Sequence, residues 1–145
     1  MPADSPRRPR NKTVAALLAL LLGWAGAHWW YMGRRHAWLP SAWALLCIVL
    51  AFSCFEIWWE NPAAFLLLVP AVDGYVRAAV YGLTADERFD ARYNPGLGRV
   101  THTGFGTIAV VIATVLVAAI VVLTTIAVAV LYTWQQLGWL DGYVL

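Results

Sequence analysis

The sequence predicts an all-α integral membrane protein: a bundle of four hydrophobic helices with a short juxtamembrane helix. Three observations carry this. The chain is 61% hydrophobic and 12% charged, where a soluble domain is about half apolar and about a quarter charged. The apolar excess lies in blocks long enough to be spanning helices. Basic residues Arg7, Arg8, Arg10 and Lys12 stand immediately before the first block, which places the N-terminus on the cytoplasmic side under the positive-inside rule.

Residues 1–12 are polar, basic and broken by proline, and read as a disordered tail. Segment one covers 13–31. A basic start, an apolar core and Ala25-Gly26-Ala27 also resemble a signal peptide with its cleavage site. Against that, the apolar character continues through Trp29, Trp30, Tyr31 and Met32. On a helical projection Ala15, Ala16, Ala19, Gly23, Gly26 and Gly33 share one face. Such a small-residue stripe admits another backbone, which is how helices associate in lipid. His28, Trp24 and Tyr31 fall on a different face, so the segment's end reads as an aromatic-polar cluster at the outer membrane boundary, joined there by Arg34.

Gly33-Arg34-Arg35-His36 is a charged turn, and segment two follows over 38–59. Pro40 suits a first turn, and Trp38, Trp58 and Trp59 bracket the segment as interfacial aromatics. Glu56 and Glu60 read as wet interfacial carboxylates. Cys47 and Cys54 share a helical face but lie about 10 Å apart along the axis, too far to bridge; they read as small packing residues.

Segment three covers 62–82 and is apolar except for Pro70, Asp73 and Arg77. A carboxylate and a guanidinium in an apolar segment are expensive unless paired. Asp73 and Arg77 stand i, i+4 with the acid first, the favourable order, so the sequence predicts an intramembrane polar pair facing the bundle interior. Pro70 predicts a kink. Gly82 is a stop, and Thr84-Ala85-Asp86-Glu87 reads as a capping box opening a juxtamembrane helix over 84–93, with loop to 103. Segment four, 104–134, is uncharged; about 30 residues give about 45 Å, more than a hydrocarbon core of about 30 Å. Residues 135–145 form a short tail.

Segments one, two and four are expected to cross, with segment three either crossing or lying along the interface. With four crossings, Arg34, Arg35, Arg88, Arg92 and Arg99 fall outside and the charge bias vanishes. With segment three interfacial, only Arg34 and Arg35 remain outside. The number of crossings is thus left open by the sequence, and the expected location is a multi-pass cell membrane protein.

Gly23, Gly26, His28, Trp30, Tyr31 and Gly33, with Lys12 ahead of them and Asp73 in Val72-Asp73-Gly74 behind, resemble the TM2-domain family of small membrane proteins over roughly residues 12–82. The family pattern is a basic residue, an apolar helix, Gly-x-x-Gly-x-His (or Asp) followed by an aromatic-rich Tyr-x-Gly, and a second helix with an aspartate. The family usually has arginine where Trp29 stands, a role the resemblance would pass to Arg34. The span from Gly33 to Asp73 is longer than the family's, which implies that its second helix is expanded here into segments two and three. The resemblance implies an architecture, with no assigned chemistry.

No CxxC, HExxH, GxGxxG or Walker pattern is present, and no Ser/His/Asp arrangement or metal-ligand cluster, so neither an enzyme activity, a metal nor a cofactor is expected. Net charge of +2 gives no argument for nucleic acid. The expected function is a non-enzymatic interaction, scaffold or accessory (protective) subunit for another membrane component. Its partners would be the bilayer and a membrane protein or a second copy, met through the small-residue face of helix one. The competing expectation is a small oligomeric channel or transporter using Asp73 and Arg77.

Overall fold

A computed structural model describes residues 9–54 and 65–139. The described residues are helical and contain no strand. In chain order the helices are α1 (Lys12–Leu22), α2 (Ala27–Tyr31), α3 (Trp38–Cys54), α4 (Leu68–Leu83), α5 (Asp86–Tyr93) and α6 (Phe105–Gln136).

Asn11 starts α1, its side chain accepting from the amides of Thr13 and Val14, which satisfies two of the unpaired donors of a helix start. The expectation of one helix over 13–31 is corrected. α1 ends at Leu22, and two tight turns follow, with Ala25 N–H bonded to the Leu22 carbonyl and Gly26 N–H to that of Gly23. Gly26 sits at φ +74°, a left-handed conformation that glycine adopts without penalty. Pro40 also presses on it so closely that a Cβ would overlap the proline ring. The chain therefore turns back, and α2 runs beside α1 until the Tyr31 hydroxyl accepts from the Asn11 amide at 2.8 Å. Trp24, His28 and Tyr31 consequently do not share a face. Tyr31 returns to the start of α1, and His28 is buried mid-way; neither lies at a far helix end.

The small-residue stripe is filled within the chain. Ala15, Ala16 and Ala19 are fully buried, as is Ala78 on the antiparallel α4. Gly23 and Gly74 meet where these helices cross: a Cβ on Gly74 would lie 2.5 Å from the Gly23 Cα. Ala15, Ala16, Ala19 and Gly23 are thus occupied within the chain, while Gly26 and Gly33 lie against Pro40 and Arg10.

α6 completes the core. Gly82 of α4 packs against Val111, so Gly82 serves this contact and the helix runs past it to Leu83. Thr13 and Thr107 hydroxyls are 2.7 Å apart between α1 and α6, and Thr107 and Thr114 are buried. Pro70 has no N–H to offer the Leu66 carbonyl, which accepts from Trp43 Nε1 at 3.2 Å instead, and a turn at Leu67 separates the helical residues 65–66 from α4, the interruption expected of this proline. The expected capping box is also absent: Thr84 donates back to the Val80 carbonyl at 2.5 Å, and Ala85 precedes α5 without a side-chain cap.

The arrangement is thus α1, α4 and α6 packed together, not four equivalent spanning helices. α3 lies to one side, tied by Ser41 Oγ donating to the Ala25 carbonyl at 2.7 Å and by Trp43 Nε1 donating to the Leu66 carbonyl at 3.2 Å. By length and composition α6 is the one described helix long and apolar enough to cross a membrane. α1, with 11 residues, is about 16 Å long, half a hydrocarbon core. Glu56, Glu60, Trp58 and Trp59 lie outside the described residues.

Replacing Gly74 with valine forces α1 and α4 apart at their crossing. We expect Gly74→Val to destabilise the fold by about 2 kcal/mol or more, read as a lower midpoint of thermal unfolding in detergent. An unchanged midpoint would show that the helices do not approach this closely.

Candidate functional site

Two polar clusters stand out. The first binds the ends of α1, α4, α5 and α6. Lys12 is 3% exposed, and its ammonium donates three bonds: to the Thr84 carbonyl at 2.5 Å, Asp86 Oδ1 at 2.9 Å and Thr103 Oγ1 at 2.7 Å. Three donors with three acceptors is what a buried ammonium needs. Asp86 Oδ2 also accepts from the Thr103 amide at 2.8 Å. Hydrogen bonds from Thr103, then Lys12, hold the Asp86 carboxyl down to about 2.

Beside it, Asp90 gathers the 94–103 loop. Its carboxylate accepts from the Val100 and Thr101 amides, each at 2.9 Å, from the Thr101 hydroxyl, and from Asn94 Nδ2 at 2.9 Å. Burial pushes the Asp90 carboxyl up, but the bonds from Thr101, Asn94 and Val100 outweigh it and hold the group well below the usual carboxylate range. Asn94 closes the circuit, exchanging hydrogen bonds with the Arg10 backbone at 2.7 and 3.1 Å. Phe89 and Tyr93 of the same short helix pack with tilted rings, 4.9 Å between ring centres.

The second cluster lies between α2 and α4. Arg77 Nε and Asp73 Oδ2 are 2.8 Å apart, and Trp29 Nε1 donates to the same oxygen at 3.3 Å. His28 Nε2 stands 3.8 Å from it. Arg77 and Arg34 both lie over the Trp29 ring, at 5.2 and 4.9 Å from its centre, in cation–π range. His28 is 1% exposed, touches Tyr81 edge-on at 6.3 Å, and neither of its ring nitrogens has a hydrogen-bond partner. Buried imidazole nitrogens without partners are uncommon. Asp73 and Arg77 are half-buried, so the pair sits at the rim of the core.

The motif residues therefore divide. Gly23 makes the crossing with α4, Gly26 makes the reversal, and His28 and Arg34 join the Asp73–Arg77 cluster. Trp30 is 60% exposed and bonds Ser41 at 3.0 Å. Tyr31 holds the start of α1, and Gly33, at φ +65°, lies against Arg10. Sequence reasoning missed Trp29 as the centre of the second cluster, and Lys12, Asp86, Asp90 and Asn94 as a network. Their signal was a buried-side lysine before an apolar run and two aspartates four apart, but nothing local links residues more than 70 positions apart. Among the described residues no three His, Cys, Asp or Glu side chains converge as a metal site. No family model, curated protein or solved structure matches the chain.

Both aspartates of the first cluster have folded values below the unfolded value of about 3.9. Their contribution is therefore complete above about pH 4 and is lost progressively as pH falls, for Asp86 through about 2. We expect the double variant Asp86→Asn, Asp90→Asn to be less stable at pH 7 and to show a flatter fall in stability between pH 4 and 2. Unfolding followed by circular dichroism across that range checks it; a fall as steep as in the native chain would refute the network.

Proposed function

We propose that the chain is an integral membrane protein that serves as a non-enzymatic interaction or accessory subunit of another membrane component. The observation that carries this is α6. It is 32 residues long, about 48 Å, and packs in the chain through its first turns. Beyond them Ile120, Leu123, Ile126 and Leu131 are each more than half exposed. A water-facing helix of that composition is untenable, whereas lipid accepts it. Three of its threonines are satisfied within the helix, Thr114, Thr125 and Thr133 each donating to the carbonyl four residues back.

The reversal at Gly26 supports a topology that neither sequence-based count contained. α1 and α2 form a hairpin that dips into the membrane and returns; α3 leads out, α4 returns and α6 crosses. Arg10, Lys12, the Gly33-Arg34-Arg35 turn, α5 and the 94–103 loop then share one side. Of the eight Lys and Arg residues among those described, seven lie on that side, Lys12 at the opening of α1, and Arg77 alone lies in mid-helix. That is the positive-inside rule obeyed completely, with the N-terminus cytoplasmic. In a background with Cys47 and Cys54 replaced by serine, we expect single cysteines at Ser5, His36 and Gly96 to label from the cytoplasmic side and one at Asp141 from the other. Labelling of His36 and Gly96 from opposite sides would overturn the hairpin.

The TM2-domain resemblance belongs to this proposal, on the residues quoted for it; His28 and the assigned aspartate, Asp73, stand 3.8 Å apart. The competing reading, a channel or transporter, is favoured by the two unpartnered His28 nitrogens beside Asp73. Ion flux in reconstituted vesicles that disappears with Asp73→Asn would favour it over an accessory role. For the accessory role, a photo-crosslinker at Leu123 is expected to give one discrete protein adduct in native membranes. Adducts with lipid alone would sink it.

A further inference from the structure

The arginines around the end of α2 are unequally satisfied. Lys12, Arg77 and Arg99 each meet a carboxylate: Asp86, Asp73 and Glu87. Among the described residues the side chains of Arg10, Arg34 and Arg35 form no ion pair and no hydrogen bond, and these three surround the Gly33 turn. A Cβ on Gly33 would lie 2.7 Å from an Arg10 guanidinium nitrogen. Arg34 is not free to wander, because its guanidinium is stacked on Trp29, whose other cation, Arg77, is already paired with Asp73. The one carboxylate nearby is thus engaged, and the turn keeps an uncompensated excess of positive charge. The turn is flanked by Trp30 and Trp38, 60% and 56% exposed, the residues that settle at headgroup depth.

We propose that Arg34 and Arg35, with Arg10 beside them, bind the phosphodiester of an anionic phospholipid in the leaflet on the N-terminal side. A guanidinium offers a planar fork of donors that matches two phosphate oxygens. Stacking on Trp29 fixes Arg34 in advance, so less freedom is lost on binding. The cytoplasmic leaflet is the one rich in anionic lipid. This proposal rests on the membrane topology proposed above.

The test uses the full chain in a neutral detergent, titrated with phosphatidylglycerol or phosphatidylcholine of the same acyl chains, with bound lipid counted by native mass spectrometry. We expect the native chain to prefer phosphatidylglycerol by about tenfold. Arg34→Gln with Arg35→Gln should abolish the preference, and Arg35→Gln alone, at an exposed position, should lower it by about threefold. Arg88→Gln with Arg92→Gln, on exposed positions of α5, should leave it intact. The proposal is overturned by a preference that survives both turn substitutions, that is unchanged in Arg35→Gln, or that falls equally with the α5 pair. Inorganic phosphate displacing the lipid would assign the site to free phosphate instead. A chain recovered in the soluble fraction of cells would remove the membrane reading itself, whereas a membrane-embedded chain without lipid preference removes only this proposal.

Discussion

Where α1 and α4 cross, Gly23 and Gly74 face each other with no side chain between them. That approach sets the distance between the two helices along their whole length. It lets Ala15, Ala16, Ala19 and Ala78 be fully buried in the interface, and helices in contact at backbone distance gain dispersion along the seam. It also sets the width of the slot beside them. α2 fits there because it is a short return helix, with His28 and Trp29 laid against Asp73, Arg77 and Tyr81. A larger residue at either glycine would open the seam and separate the polar groups that depend on it.

The Lys12 network fixes the opposite end of the same seam. An ammonium removed from water is unfavourable unless its donors are all used, and here they tie the carbonyl of Thr84, just past the end of α4, the first turn of α5 and the approach to α6 to one atom. Asp90 and Asn94 do the same for the loop and the Arg10 backbone. The two polar clusters thus divide the work: one locks the ends of α1, α4, α5 and α6, and the other lies along the α2–α4 contact. Their charge differs as well. The first balances its cations against aspartates, while the Gly33 turn leaves arginines over.

Several features were legible in the chain. Segment four is helical over nearly the expected range because nothing in 104–134 interrupts it: no charge, no proline, and threonines that can bond to their own helix. The Asp73–Arg77 pair follows from spacing alone. Residues 86–93 form a helix within the expected limits, since Asn94-Pro95-Gly96 ends it. Segment one misled because its hydrophobicity is continuous. Composition records how apolar a stretch is and is blind to its direction, and Gly26 at φ +74° reverses the chain without lowering hydropathy. The small-residue stripe was read correctly as a packing face, but sequence cannot distinguish a partner within the chain from one outside it.

The sequence by itself determined helical content, the apolar character, the location of the long last helix and the local acid-base pair, because each depends on residues within a few turns of one another. Tertiary structure decided the rest: that α1 is a half-length hairpin arm, that α4 fills its small-residue face, that Lys12 serves Asp86 and Thr103, and that Arg34 and Arg77 share Trp29. Each of these joins residues far apart in the chain, and each turns on where one glycine lets the backbone bend or approach. The positions of the basic residues were visible from the start. That Arg34 and Arg35 come back beside Arg10 emerges only once the chain is seen to turn back at Gly26.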